Sequence, residues 1–129
     1  MKIEHVAIWT KDVERLRAFY EDYFEAVPGP KYVNPGKLSE SYFMSFSSGA
    51  RLELMGMASI PESPDSPGAQ SVGYIHMAIS TGSEQRVDSL TARLEADGYR
   101  VVDGPRRTGD GYYESVVLDP DGNRVEVTV

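Results

Sequence analysis

Cysteine is absent from the 129 residues. That excludes disulfides and thiolate ligands, so any bound metal must be held by nitrogen and oxygen. Positive charge is scarce. Thirteen Lys and Arg face 20 Asp and Glu, giving a net charge of −7. An acidic chain lacks the electrostatic footprint for DNA, RNA or anionic lipid, so no nucleic-acid partner is expected. No apolar run approaches the roughly 18 to 20 residues needed to cross a bilayer. The opening stretch, MKIEHVAIWTKD, has no uninterrupted apolar segment of the signal-peptide kind. A cytoplasmic protein with no membrane partner is expected. Histidine is nearly absent as well, with two in the whole chain.

The length fits one compact domain or two small modules sharing a core. Residues 2–9, KIEHVAIW, read as a strand. In TKDVERLRAFYEDYF the period changes: Val13, Leu16, Tyr20, Tyr23 and Phe24 fall at helical spacing, with Thr10 or Asp12 as cap. VPGPKYVNPG is loop, with a weak strand near KYV. SYFMSF and RLELMGM read as two strands joined by a Ser-Gly turn. Residues 58–71, ASIPESPDSPGAQS, hold three prolines and four serines and mark a linker. Then the order begins again. SVGYIHMAIS is a strand. SEQRVDSLTARLEADG is a helix with Val87, Leu90 and Leu94 on one face and Gly98 as its stop. YRVVDGP is a short strand and turn, and YYESVVL is a strand. DPDGN is a tight turn before the last strand, RVEVTV. The chain is therefore an α+β protein of two βαβββ modules, 1–57 and 72–129, around the 58–71 linker.

The repeat carries polar residues with it. EHVAI at 4–8 matches IHMAI at 75–79, placing His5 and His76 at equivalent sites. Arg51-Leu52-Glu53-Leu54 matches Arg124-Val125-Glu126-Val127. Glu53 follows His5 by 48 positions and Glu126 follows His76 by 50. Side chains alternate along a strand. His5, Ala7 and Trp9 therefore share a face, as do His76, Ala78 and Ser80. Glu53 and Glu126 are flanked by aliphatics of the opposite face. The large aliphatics suit helix-covered faces, and the His and Glu project from the other side, beside small residues that leave room for a ligand. Two neutral imidazoles and two carboxylates are a nitrogen/oxygen set suited to a divalent metal.

This pattern resembles the vicinal oxygen chelate superfamily, which includes glyoxalase I, bleomycin-resistance proteins and extradiol dioxygenases. DVERLRAFYEDYF looks like the first family helix and DPDGNRVEV like the family's usual ending. The resemblance covers essentially the whole chain. It implies a curved, mostly antiparallel sheet with helices outside, and a homodimer in which modules close around the metal. The set His5, Glu53, His76 and Glu126 is similar to that of bacterial glyoxalase I. Related dioxygenases use two His and one Glu, which would leave Glu53 surplus. By resemblance, all four hold the metal, Ni, Zn, Co, Mn or Fe. Glu126 is the catalytic base and Glu53 a second proton carrier. The implied activity is a lyase or isomerase step on a small 2-oxo or 2-hydroxy carbonyl compound, by proton abstraction and enediolate stabilisation. Two positions depart from the bacterial glyoxalase I pattern. Trp9 stands where Arg helps hold glutathione, and Met57 stands where Asn is usual. Both argue against a glutathione substrate. Trp9, Met57, Arg106, Arg107 and Tyr113 are candidate pocket residues, the two arginines for anion recognition. The alternatives from other classes are an antibiotic- or ligand-binding resistance protein, with or without metal, and an Fe(II) extradiol-type dioxygenase.

Overall fold

The computed structural model describes all residues, Met1–Val129. The chain divides into two compact units, Met1–Glu62 and Ser63–Val129. Each follows the βαβββ plan with its own mixed sheet, the first with one additional short strand. Neither helix is long and apolar enough to cross a membrane.

In the first unit, strand β1 (His5–Thr10) leads into helix α1 (Val13–Phe24), followed by β2 (Val27–Pro28), β3 (Tyr32–Asn34), β4 (Ser39–Ser45) and β5 (Arg51–Gly56). The sheet order is β1-β5-β4-β2, with β3 also pairing with β4. β1 and β5 run parallel, which the intervening helix permits. Asp12 caps α1, its carboxylate accepting from the Arg15 N–H at 2.9 Å. The buried stripe of α1, Val13, Leu16, Phe19, Tyr20 and Phe24, meets Met44 of β4 and Leu52 and Leu54 of β5. The weak strand near KYV is β3, and β2 adds a second short piece along β4.

Glu14, in the first turn of α1, accepts from Lys31 Nζ (3.0 Å), Arg17 Nε (3.0 Å) and the Tyr42 hydroxyl (2.9 Å). Lys31 first, then Arg17 and Tyr42, hold its carboxyl down at about 2, from an ordinary 4.5. A carboxyl lowered on folding adds stability that is complete above pH 4.5 and vanishes as pH falls toward 2. Glu14→Gln is expected to cost about 1 kcal/mol at pH 7, since the half-exposed carboxylate is screened by solvent. Thermal melts across pH should show the difference from the parent closing between pH 4.5 and 2. A gap that stays constant through that window refutes the assignment.

In the second unit, β6 (Met77–Ser80) precedes α2 (Glu84–Ala96), β7 (Val101–Arg107), β8 (Tyr113–Leu118) and β9 (Arg124–Thr128), in the sheet order β6-β9-β8-β7. β6 is parallel to β9 and the other pairs are antiparallel. Ser83 caps α2. At its other end the Tyr99 N–H bonds the Leu94 carbonyl (2.9 Å) and the Gly98 N–H the Glu95 carbonyl (3.0 Å), a Schellman ending on Gly98 at φ +91°. Val87 and Leu94 are fully buried as expected, but Leu90 is only half-buried. Thr91 takes the central position, its hydroxyl bonded to Ser115 on β8 at 2.6 Å.

Two boundaries differ from the sequence reading. β6 begins at Met77, so His76 immediately precedes the strand instead of lying inside it. Its partner β9 starts at Arg124, one residue before Val125, the partner of Met77, so little ladder exists upstream. β7 runs on through Arg106 and Arg107, past the short strand and turn expected at YRVVDGP. Register shifts at Asp103 and Arg106 let the strand continue past Gly104-Pro105.

The DPDGN turn is fixed by Asp119. Its buried carboxylate accepts from the Asp121 N–H, the Asn123 N–H and the Asn123 side-chain amide, each at 2.9 Å. Asp119→Ala strands three donors. It is expected to lower stability by about 2 kcal/mol, read by urea unfolding.

Candidate metal centre

Each unit presents one sheet face to its helix and leaves the other open. In the first unit the register pairs His5 with Arg51, Ala7 with Glu53 and Trp9 with Met55, while Phe43 of β4 lies opposite Glu53. These side chains share the open face, and Leu52 and Leu54 between them are buried beneath α1. His5 Nε2 lies 3.8 Å from Glu53 Oε2. In the second unit Ala78 pairs with Glu126, and His76 Nε2 lies 3.2 Å from Glu126 Oε2. The settings match closely. Both Glu side chains are 15% exposed, and the two His are 39% and 34% exposed. Thus each module brings its own His and Glu together, as strand alternation requires.

The chemistry of this donor set fits a divalent ion. All four groups offer nitrogen or carboxylate oxygen. Two ligands at right angles on an ion, with bonds of about 2.1 Å, lie about 3 Å apart. The His76–Glu126 pair is close to that spacing and the His5–Glu53 pair slightly wider. No three His, Asp or Glu side chains gather into a metal-holding group. Each unit carries one such His–Glu pair.

The two His–Glu pairs differ in their surroundings. Before His5 stands Glu4, whose Oε2 lies 2.5 Å from His5 Nδ1. Arg51 holds the other oxygen, with Nε donating to Glu4 Oε1 at 2.9 Å and a second contact through Nη2. The His5 bond first, then Arg51, keep the Glu4 carboxyl below its ordinary value. Arg51 also lies over the Phe43 ring (4.2 Å), and His5 meets that ring edge-on at 5.2 Å. In the second unit the equivalent arginine, Arg124, donates instead to the Pro67 carbonyl at 2.6 Å. Beside Glu126 sits Glu114. Burial pushes the Glu114 carboxyl up, and the neighbouring Glu126, by charge and by a shared hydrogen bond, pushes it further. Neither Glu114 nor Glu4 was among the site residues expected from the sequence. The signal for Glu4 was its place directly before a histidine.

The candidate pocket residues separate. Trp9 is on the open face of the first unit and 43% exposed. Met57 follows β5, its N–H donating to the Thr10 carbonyl at 3.3 Å. Arg106 pairs with Glu114 across the ladder, which places it on the Glu126 face. Its guanidinium is engaged by Asp103, with Nε 2.9 Å from Oδ2. Arg107 and Tyr113 pair with each other on the opposite face. There Arg107 meets Glu84 and the Tyr113 hydroxyl donates to Asp88 at 2.7 Å, both on α2. These two residues secure the helix to the sheet and do not face Glu126.

Comparisons with known proteins agree with this architecture. A possible glyoxalase from Bacillus cereus is 26% identical, superposes with a TM-score of 0.73, and is matched over 100% of this chain and 99% of that one. A lactoylglutathione lyase from Agrobacterium tumefaciens is also 26% identical, with a TM-score of 0.66 and coverage of 98% and 91%. An uncharacterised protein of Bacillus subtilis, YqjT, is 41% identical over 59 residues, 43% of this chain and 46% of that protein. That last match spans less than half of the length of either protein. The model of the Glyoxalase/Bleomycin resistance protein/Dioxygenase superfamily matches residues 2–127, and the chain belongs to that superfamily.

Proposed function

We propose that this protein is a metal-dependent lyase or isomerase of glyoxalase type. Its substrate is a small 2-oxo or 2-hydroxy carbonyl compound. The observation that carries the reading is the recurrence of one His–Glu pair on the open face of each module, at 3.8 and 3.2 Å. His5, Glu53, His76 and Glu126 would hold a divalent ion, with two copies of the chain as the supporting assembly. Such an ion supplies Lewis-acid polarisation of a carbonyl and stabilises the negative charge that develops when an adjacent C–H proton leaves.

The protein groups have separate tasks. His5 and His76 present ring nitrogens and carry no proton in the reaction. Glu126 takes the substrate proton at a carboxylate oxygen and returns it one carbon away. Glu53 is the second proton carrier. Ala7 and Ala78, paired directly with Glu53 and Glu126, keep the space in front of both carboxylates clear. Trp9, exposed on the same face as His5, would pack against the substrate's carbon skeleton. A glutathione moiety is not favoured, because Trp9 and Met57 replace the Arg and Asn that resemblance would require. The test is metal content of untagged protein, followed by exchange of substrate C–H for deuterium in deuterated water. Suitable probes are hydroxyacetone and the methylglyoxal adducts of glutathione and of 2-mercaptoethanol. Protein that carries no stoichiometric metal and gains none on addition refutes the reading. Tight binding of an antibiotic without metal would move it to the resistance-protein class, and oxygen uptake with a catechol to the dioxygenases.

A further inference from the structure

The two half-sites use identical ligands but support their histidines differently. Glu4 Oε2 lies 2.5 Å from His5 Nδ1, and Arg51, 47 positions away in sequence, holds Glu4 Oε1 from the neighbouring strand. The strand pairing itself fixes this triad. Arg51 is in register with His5, and the Arg51 N–H donates to the Glu4 carbonyl at 3.0 Å. At the position matching Glu4 in the second module stands Ile75, so His76 has no counterpart of this carboxylate. An ionised carboxylate can only accept, so the ring atom facing it must carry the proton. That leaves His5 Nε2 with its lone pair, on the side where Glu53 lies.

We propose that Glu4 is a positioning residue for His5: held by Arg51, it fixes the Nδ1–H tautomer and aims the bare Nε2 at the metal position. The inference rests on the metal reading above but is decided separately from it. A carboxylate behind a ligand histidine sets ring orientation and raises ligand basicity, typically changing metal affinity by about 10- to 100-fold. Through Glu4, the first half-site receives the ion with its ligand already oriented. The second half-site, where Glu126 has the proton-transfer task, has Ile75 in place of that carboxylate.

The test begins with the metal-free, full-length protein, ¹⁵N-labelled, at a pH where both imidazoles are neutral. Long-range ¹H–¹⁵N correlations report the tautomer of each ring. His5 is expected in the Nδ1–H form in the parent. Glu4→Ala should shift His5 toward the Nε2–H form while His76 stays unchanged. Glu4→Gln, which retains an acceptor oxygen, should keep most of the parent distribution. A parent His5 in the Nε2–H form, or no change in Glu4→Ala, overturns the proposal. Zinc titration of the same proteins should show a 10- to 100-fold weaker site in Glu4→Ala and partial rescue in Glu4→Gln. Equal zinc affinity in all three would overturn the positioning role even if the tautomer shifts. If the parent binds no zinc, the metal reading fails, and with it Glu4's role toward a metal, while the tautomer spectra still show whether Glu4 orients the ring.

Discussion

Glu126→Gln is expected to lower turnover by about 10²- to 10⁴-fold at saturating metal, the usual contribution of a positioned general base. Gln keeps the shape of Glu and one acceptor oxygen but cannot take a proton. The side chain is 15% exposed and flanked by the buried Val125 and Val127, so the strand should be unaffected. His76→Ala is the complementary variant. It removes the nitrogen 3.2 Å from Glu126, and its primary effect should be on metal affinity. Measuring both together separates holding the ion from moving the proton. Glu126→Gln should regain metal when enough is added yet not regain activity. His76→Ala should regain part of its activity as metal is raised. Glu126→Gln with parental deuterium exchange under full metal loading would remove Glu126 from the role of base and leave it as a ligand alone.

Gly104→Ala is expected to cost about 3 kcal/mol or more, against about 1 kcal/mol for Gly98→Ala. Both glycines sit in the left-handed region, at φ +76° and +91°, so both variants pay the conformational penalty of a side chain there. They differ in space. A Cβ at Gly98 meets nothing within 4 Å. A Cβ at Gly104 falls 2.5 Å from the Glu114 carbonyl oxygen and 2.9 Å from Ser115 Cα, both backbone atoms of β8. To accept it, β7 and β8 must separate, and the buried Thr91–Ser115 hydrogen bond lies just behind. A single substitution with a large effect of this kind belongs with overpacking and backbone strain. Urea unfolding of the two variants isolates the steric part as their difference. Equal losses would mean that the close approach of β7 to β8 does not constrain the protein in solution. The displacement should also disturb the proposed metal position, because Glu114 stands beside Glu126.

The sequence by itself determined the duplicated βαβββ order, the two helices, and the face from which His5, Glu53 and Glu126 project. These are short-range properties. A change of period from two to 3.6 separates strand from helix, and parity within one strand assigns a face without knowledge of its neighbours. Sequence position alone also set Glu4 beside His5. What made Glu4 meaningful was Arg51, which only the pairing of β1 with β5 brings to it. Alternation along β7 was interrupted locally by register changes. The first shift turns Asp103 to the Glu114 side, and the second restores the parity of Val101, so that Arg107 lies toward α2 and Arg106 toward Glu114. No local pattern announces such a shift, because it is set by how β7 fits against β8 around Gly104. Tertiary structure likewise decided that the matching arginines diverge, Arg51 toward Glu4 and Arg124 toward Pro67. Their own strands are nearly identical, and the difference comes from the chain segments that precede each module's first strand.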